Sequence, residues 1–167
     1  MIFNFVQMKT TFLFLFLFFF GNPSITEIRK LYATASSSEN NAKEFASKLN
    51  EVSKEDNKAL VAYKGASLAI LSKLEKKVSD KSKKFREGSS LIEYAVANEP
   101  NSIEIRMIRL SVQENVPKIV NYRGNKKEDK KFLLDHYKEQ TGVLKAYIGD
   151  FISQSKSFSV TEKELVK

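Results

Sequence analysis

Residues 101–115 read NSIEIRMIRLSVQEN, and this stretch is the most informative about the fold. Ser102 is a suitable N-cap for a helix that begins at Ile103 and extends to about Glu114. With about 100° of rotation per residue, the apolar side chains of this helix form two faces that lie roughly opposite each other. The first face carries Ile103, Met107 and Leu110, and the second carries Ile105, Ile108 and Val112. A helix with two apolar faces must be covered on both sides, so the stretch predicts stacked antiparallel helical hairpins.

The rest of the chain also predicts helices. Apolar residues recur at i, i+3, i+4 and i+7, while serines, prolines and glycines interrupt the pattern between segments. No segment alternates polar and apolar residues between paired turn signals, as strands would. We therefore expect an all-α chain of about six to seven helices. Their approximate ranges are 25–35, 42–52, 53–77, 85–98, 103–114, 126–137 and 143–153.

The third of these segments is rich in small residues, which would let a neighbouring helix approach closely. They are Ala62, Gly65, Ala66, Ser67 and Ala69. Further along, Gly88, Ile92, Ala95 and Pro100 follow the small, large, small and proline spacing of a tetratricopeptide repeat. This part of the chain resembles tetratricopeptide-like hairpins, a resemblance that implies protein binding.

Three stretches also resemble a group of small secreted helical proteins from Flavobacterium-type bacteria. They are AYKGA at 62–66, NSIEIRMIR at 101–109 and EDK at 128–130. The resemblance covers about residues 60–135. It implies an exported helical protein and carries no expectation of a particular activity.

The first 21 residues have the pattern of a signal peptide. Lys9 precedes an apolar block, Phe12 to Phe20, that has no charged residue and is too short to span a bilayer as a helix. We expect cleavage near residues 21–24. The mature protein is therefore expected to act outside the cytoplasm, in the periplasm or beyond the cell. Because the chain has no cysteine, the sequence argues against a lipoprotein and against disulfides. The expected organisation is a signal peptide at 1–21, one all-α domain at 22–155 and a frayed tail at 156–167.

The polar stripe of the helix at 103–114 supplies the candidate binding residues. Arg106, Arg109 and Gln113 align between its two apolar faces. Two interpretations of these arginines remain open. The guanidiniums pair inside the protein with carboxylates, for which the candidates are Glu93, Glu99, Glu104 and Asp129. Alternatively, they line a groove that captures a carboxylate or an acidic peptide, with Tyr63 and Tyr122 as its walls.

A second candidate is the basic segment at 73–86, which has seven basic residues and two acidic ones within a chain of net charge +8. We expect either a solvated surface or a contact with an anionic polymer or membrane surface. Because aromatic residues for base stacking do not interleave with the lysines, no nucleic acid is expected. The lysines of this candidate surface are Lys73, Lys76, Lys77, Lys81, Lys83 and Lys84.

No catalytic signature stands out in the sequence. His136 is the one histidine, and without cysteine or a cluster of carboxylates it predicts neither a metal site nor a catalytic triad. The glycines are isolated and form no phosphate-binding loop. We therefore expect an exported, non-enzymatic interaction or scaffolding protein without a cofactor. The alternative is a periplasmic binding protein for an anionic ligand or envelope polymer. An enzyme is the least favoured of the three classes.

Overall fold

The computed structural model describes residues 23–166, and every regular element in that range is helical. This confirms the all-α prediction, while the predicted signal peptide at 1–21 lies outside the described residues. Within the described range, no helix is both long and apolar enough to cross a membrane. The helices are α1 (Ile25–Thr34), α2 (Glu39–Ser47), α3 (Lys58–Ser72), α4 (Val78–Asn98), α5 (Ile103–Asn115), α6 (Lys126–His136), α7 (Gly142–Gln154) and α8 (Val160–Glu164). Short 3-10 turns follow α5 and α6, at Lys118–Val120 and Tyr137–Glu139.

Helix α5 lies at the centre of this arrangement, as its two apolar faces predict. All six apolar side chains of those faces are buried, and the helix packs against α3, α4, α6 and α7. The Oγ atom of Ser102 accepts a hydrogen bond from the backbone N–H of Ile105, so the predicted N-cap is present. One continuous hydrophobic core extends along the described chain from Ile28 to Val166.

Helices α3 and α4 pack closely against each other. Gly65 of α3 and Gly88 of α4 face each other so closely that a Cβ atom added to Gly88 would lie 2.4 Å from the carbonyl oxygen of Gly65. The reciprocal Cβ on Gly65 would lie 2.5 Å from the carbonyl oxygen of Gly88. The small residues of α3 therefore have the expected consequence, a close approach of a second helix.

Helices α2 and α3 end about five residues earlier than predicted, and α3 begins about five residues later. Two further differences from the sequence expectations affect whole segments. Helix α4 begins at Val78, about two turns before the predicted start, so much of the lysine-rich segment is helical. Residues 156–167 were expected to form a frayed tail, yet Phe158 and Val166 are buried. The hydroxyl of Tyr137 donates a hydrogen bond to the carbonyl oxygen of Val166, and Ser159 caps α8. The tail prediction was wrong because two apolar side chains far apart in this segment reach the core.

We predict that Gly88→Ala lowers the free energy of unfolding by about 2–3 kcal/mol, since the added methyl group must push α3 and α4 apart. The matched control is Gly124→Ala, because a Cβ atom at Gly124 meets nothing within 4 Å. Urea denaturation followed by circular dichroism measures both variants. Equal stabilities for the two would show that the α3–α4 contact tolerates extra volume.

Candidate functional site

The most deeply buried charges belong to an ion pair between α5 and α6. The Nε and Nη2 atoms of Arg109 donate to the two carboxylate oxygens of Asp129, both at 2.7 Å. The Arg109 side chain is 4% exposed and that of Asp129 is fully buried. Burial acts to lower the pKa of Arg109, but the hydrogen bonds and charge of Asp129 outweigh it and raise this pKa above its ordinary value. The bidentate geometry fixes the position of α6 on α5.

The other hydrogen bonds of Arg109 and those of Arg106 also go to groups within the protein. Arg109 donates through Nη1 to Glu93 of α4 at 2.9 Å. Arg106 donates to Asp129, to Glu128 and to the carbonyl oxygen of Pro100. Its hydrogen bond is the main cause that lowers the pKa of Glu128, which lies on the surface. Both guanidiniums therefore have internal partners.

Tyr122 belongs to the same network rather than to an open groove. Its hydroxyl donates to Glu93 at 2.6 Å, and its ring packs edge-on against Phe85 with 5.6 Å between ring centroids. Burial is the main cause that raises its pKa. The contact joins the loop after α5 to the first half of α4.

A second buried network joins α1, α3, α5 and α7 around Glu104. Arg29 donates to both carboxylate oxygens of Glu104, at 2.8 and 2.6 Å, and this contact is the main cause that raises the pKa of Arg29. The hydroxyl of Tyr63 donates to the same carboxylate at 2.8 Å and lies 3.1 Å from the hydroxyl of Tyr147. Tyr63 is fully buried. The sequence offered no indication that Arg29 would take part.

The groove expected from Arg106, Arg109, Gln113, Tyr63 and Tyr122 is not formed. The structure puts Tyr63 in the Glu104 network and the two arginines with Tyr122 in the Asp129 network. Gln113 is fully buried on α5, and its side-chain amide has no hydrogen-bond partner within residues 23–166. Of the two interpretations left open by the sequence, internal pairing fits these contacts, with Glu93, Asp129 and Glu128 as the partners.

A cleft of about 380 Å³ opens elsewhere, between α1, the C-terminal ends of α3 and α5, and the end of α7. Its apolar wall includes Ile70, Val112 and Phe151, and its polar edge includes Asp150 and the exposed Lys73. The sequence analysis missed this cleft. Its residues come from four separate helices, and no local motif links them.

Internal hydrogen bonds hold the cleft in shape. The hydroxyl of Tyr32 on α1 donates to the Oγ atom of Ser111 on α5 at 2.9 Å. Glu114 accepts hydrogen bonds from the hydroxyl of Ser155 and from the backbone N–H of Ser157, the latter at 3.0 Å. These contacts tie α1 and the segment after α7 to the last turns of α5.

The lysine-rich segment at 73–86 connects α3 to α4 and forms the first turns of α4. Lys84 pairs with Glu75. The other six basic side chains are exposed, and none of them makes an ion pair within residues 23–166. They are Lys73, Lys76, Lys77, Lys81, Lys83 and Arg86.

His136 lies partly exposed at the end of α6. Its Nδ1 atom is 2.8 Å from a carboxylate oxygen of Glu139, and its ring packs on Phe132. Across the part of the chain that the structure describes, no group of three or more histidine or acidic side chains is arranged to hold a metal ion.

Comparison with known proteins supplies no relative. No protein-family model matches the chain, and no curated protein or solved structure matches it. The tetratricopeptide-like and Flavobacterium-type resemblances therefore stay predictions from the sequence.

We predict that Asp129→Ala lowers the free energy of unfolding by about 3–5 kcal/mol, because it leaves the buried charge of Arg109 without its bidentate partner. The control is Glu128→Ala, whose side chain is 58% exposed. An exposed ion pair contributes less than about 1 kcal/mol, so the control should stay near the wild type. Chemical denaturation of both variants measures the difference, and a mild effect of Asp129→Ala would contradict the assigned pairing.

We also predict a loss of stability in alkali caused by buried tyrosines. Burial raises the pKa of Tyr32 to about 12, and it raises the pKa of Tyr63, Tyr122 and Tyr147 as well. The unfolded chain releases these protons near pH 10, so the folded state is fully favoured below that pH and loses stability as the pH rises towards 12. Tyrosinate absorbance and circular dichroism should therefore change together in an alkaline titration.

Tyr32→Phe provides the control for this titration. It removes one of the phenols that ionise on unfolding, so the decline in stability between pH 10 and 12 should become less steep. Smooth ionisation of all tyrosines before any loss of helix would contradict the prediction.

Proposed function

We propose that this chain is an exported, non-enzymatic protein-interaction protein whose partner binds in the cleft between α1, α3, α5 and α7. The observation that carries the proposal is that this recess joins an apolar wall to a charged edge. Its volume of about 380 Å³ lies near the lower end of the range for specific binding pockets, about 300–1,000 Å³.

The cleft is pre-formed by hydrogen bonds within the protein. Tyr32 and Ser111 are hydrogen-bonded to each other, and Glu114 holds the segment after α7 through Ser155 and Ser157. A recess held in this way loses little conformational entropy when a partner enters. The binding energy can then come from the contacts themselves.

The cleft offers a partner both apolar surface and charged groups. Ile70, Val112 and Phe151 present apolar surface, which favours an apolar side chain of the partner. Lys73 and Lys156 lie on the edge as exposed cations that make no ion pair within residues 23–166, and Asp150 is the one exposed carboxylate of the lining. A segment with an apolar anchor between acidic residues would match this arrangement.

The other two parts of the proposal rest on the sequence. Export rests on the charge-free apolar block from Phe12 to Phe20 after Lys9. The non-enzymatic role rests on the lack of a catalytic motif in a chain with no cysteine and one histidine.

The alternative function is a periplasmic binding protein for an anionic ligand or envelope polymer. Internal pairing of Arg106 and Arg109 removes the groove that was expected to serve it. The six exposed basic residues of the segment at 73–86 are the observation that now favours it, because they have no counter-ions in the described part of the chain.

The test is capture of partners from an envelope extract with the protein in the form that the source cells produce. Ala33→Trp places a bulky ring at the cleft, where Ala33 is an exposed lining residue. Ala97→Trp makes the same change at an exposed position of α4 that does not line the cleft. We expect the wild type and Ala97→Trp to capture the same protein in stoichiometric amounts, and Ala33→Trp to lose at least about tenfold in affinity.

Circular dichroism must first show that both variants fold. Equal capture by Ala33→Trp would place the partner on another surface, and an empty capture by the wild type would contradict the adaptor role. Stabilisation of the wild type by small anions, without capture of a protein, would favour the alternative function.

A further inference from the structure

We propose that one end of the molecule docks on an anionic lipid surface. We call this end the basic end and define it as residues 73–86, which connect α3 to α4, together with residues 116–122, which connect α5 to α6. This inference does not rest on the partner proposed for the cleft, although Lys73 and Val116 belong to both the cleft and the basic end.

Two observations place both connections at the same end. The rings of Phe85 and Tyr122 are in contact, with 5.6 Å between their centroids. In addition, Lys73 and Val116 line the same cleft at the C-terminal end of α5. The two connections therefore lie close together at this end of the molecule.

The first property of the basic end is charge without compensation. Its segment at 73–86 has seven basic and two acidic residues, and the single ion pair that the structure describes there joins Lys84 to Glu75. The other basic side chains of the segment are exposed. Lys118 adds another exposed cation from the second connection. Such a cluster is attracted to a negatively charged surface, and each lysine strengthens the attraction.

The second property is that apolar side chains stand exposed among these cations. Val78 is 78% exposed and Ile119 is 91% exposed, while Leu74 and Val120 are about two-fifths exposed, at 41% and 39%. These four are among the seven large apolar side chains that are exposed within residues 23–166, and they are the ones that lie in the basic end.

The combination selects a lipid surface over an anionic polymer. A soluble polyanion satisfies the lysines but leaves Val78 and Ile119 in water. At the boundary of an anionic bilayer, the amines meet the phosphates while the apolar side chains enter the region between headgroups and acyl chains. Both properties of the basic end then contribute to one interaction.

The chain allows a direct optical test because it contains no tryptophan. Val78→Trp introduces a single fluorophore at the basic end, and Ala97→Trp introduces one about 28 Å further along α4. Each variant is mixed with vesicles of phosphatidylcholine and phosphatidylglycerol, and separately with vesicles of phosphatidylcholine alone. We expect the emission of Val78→Trp to shift to the blue with the anionic vesicles only, and the emission of Ala97→Trp to stay unchanged.

Sedimentation with the same vesicles measures affinity in variants without a fluorophore. Lys77→Gln/Lys81→Gln should weaken binding by about fivefold for each lysine, and added salt should weaken wild-type binding. The matched control is Lys30→Gln/Lys138→Gln, which removes the same charge from two exposed lysines outside the basic end. This control should bind like the wild type. Any contribution of residues 1–22 is common to all variants, and circular dichroism checks their folding.

Several results would overturn the proposal. Equal binding to neutral vesicles would show that the charge has no role, and equal losses in the two double variants would show that no particular surface is used. Binding to vesicles without a blue shift in the emission of Val78→Trp would contradict the proposed insertion of apolar side chains. Binding to dextran sulfate with no binding to anionic vesicles would assign the basic end to a polymer instead.

Discussion

The guanidinium of Arg109 is almost completely buried, and the carboxylates of Asp129 and Glu93 balance its charge. This follows from the position of α5, which is covered by other helices on all its apolar sides. A charge in such a place is costly unless ionised partners with good geometry surround it. The partner carboxylates come from α4 and α6, so the requirement to satisfy one arginine fixes two further helices. Glu104 imposes the same requirement in the first turn of α5, where Arg29 of α1 and Tyr63 of α3 satisfy it.

This constraint also explains which parts of the fold the sequence predicts and which it does not. The periodicity of α5 predicts two buried faces, because a side chain's angle around a helix depends only on its position. The choice of partner depends on how helices distant in the sequence come together. Four carboxylates were plausible partners for the two arginines; the packing selects Glu93 and Asp129 from these four and adds Glu128, which was not among them. No local pattern distinguishes these two from Glu99 and Glu104.

Two errors of the sequence analysis have a related origin. The first turns of α4 carry many lysines, with Val78 and Phe85 as their apolar residues, so they lack a helical stripe. They are helical nevertheless, and Phe85 anchors them against Tyr122. Likewise Phe158 and Val166 are too far apart to form a pattern, yet both reach the core. In each case long-range contacts outweigh a weak local signal, and only the folded chain contains those contacts.

Because the central charges are paired with each other, the candidate binding surfaces lie away from the middle of the molecule. Arg106 and Arg109 attracted attention because two cations on a covered helix need either partners or a ligand, and their partners are now identified. A ligand that displaced Asp129 would have to separate α6 from α5, and it would lose the bidentate contact without a comparable gain. Surfaces that keep unpaired charge beside exposed or accessible apolar groups carry no such cost. The structure offers both the cleft and the basic end at the C-terminal end of α5, so a partner or a surface can engage there while the ion-pair networks that order the helices stay intact.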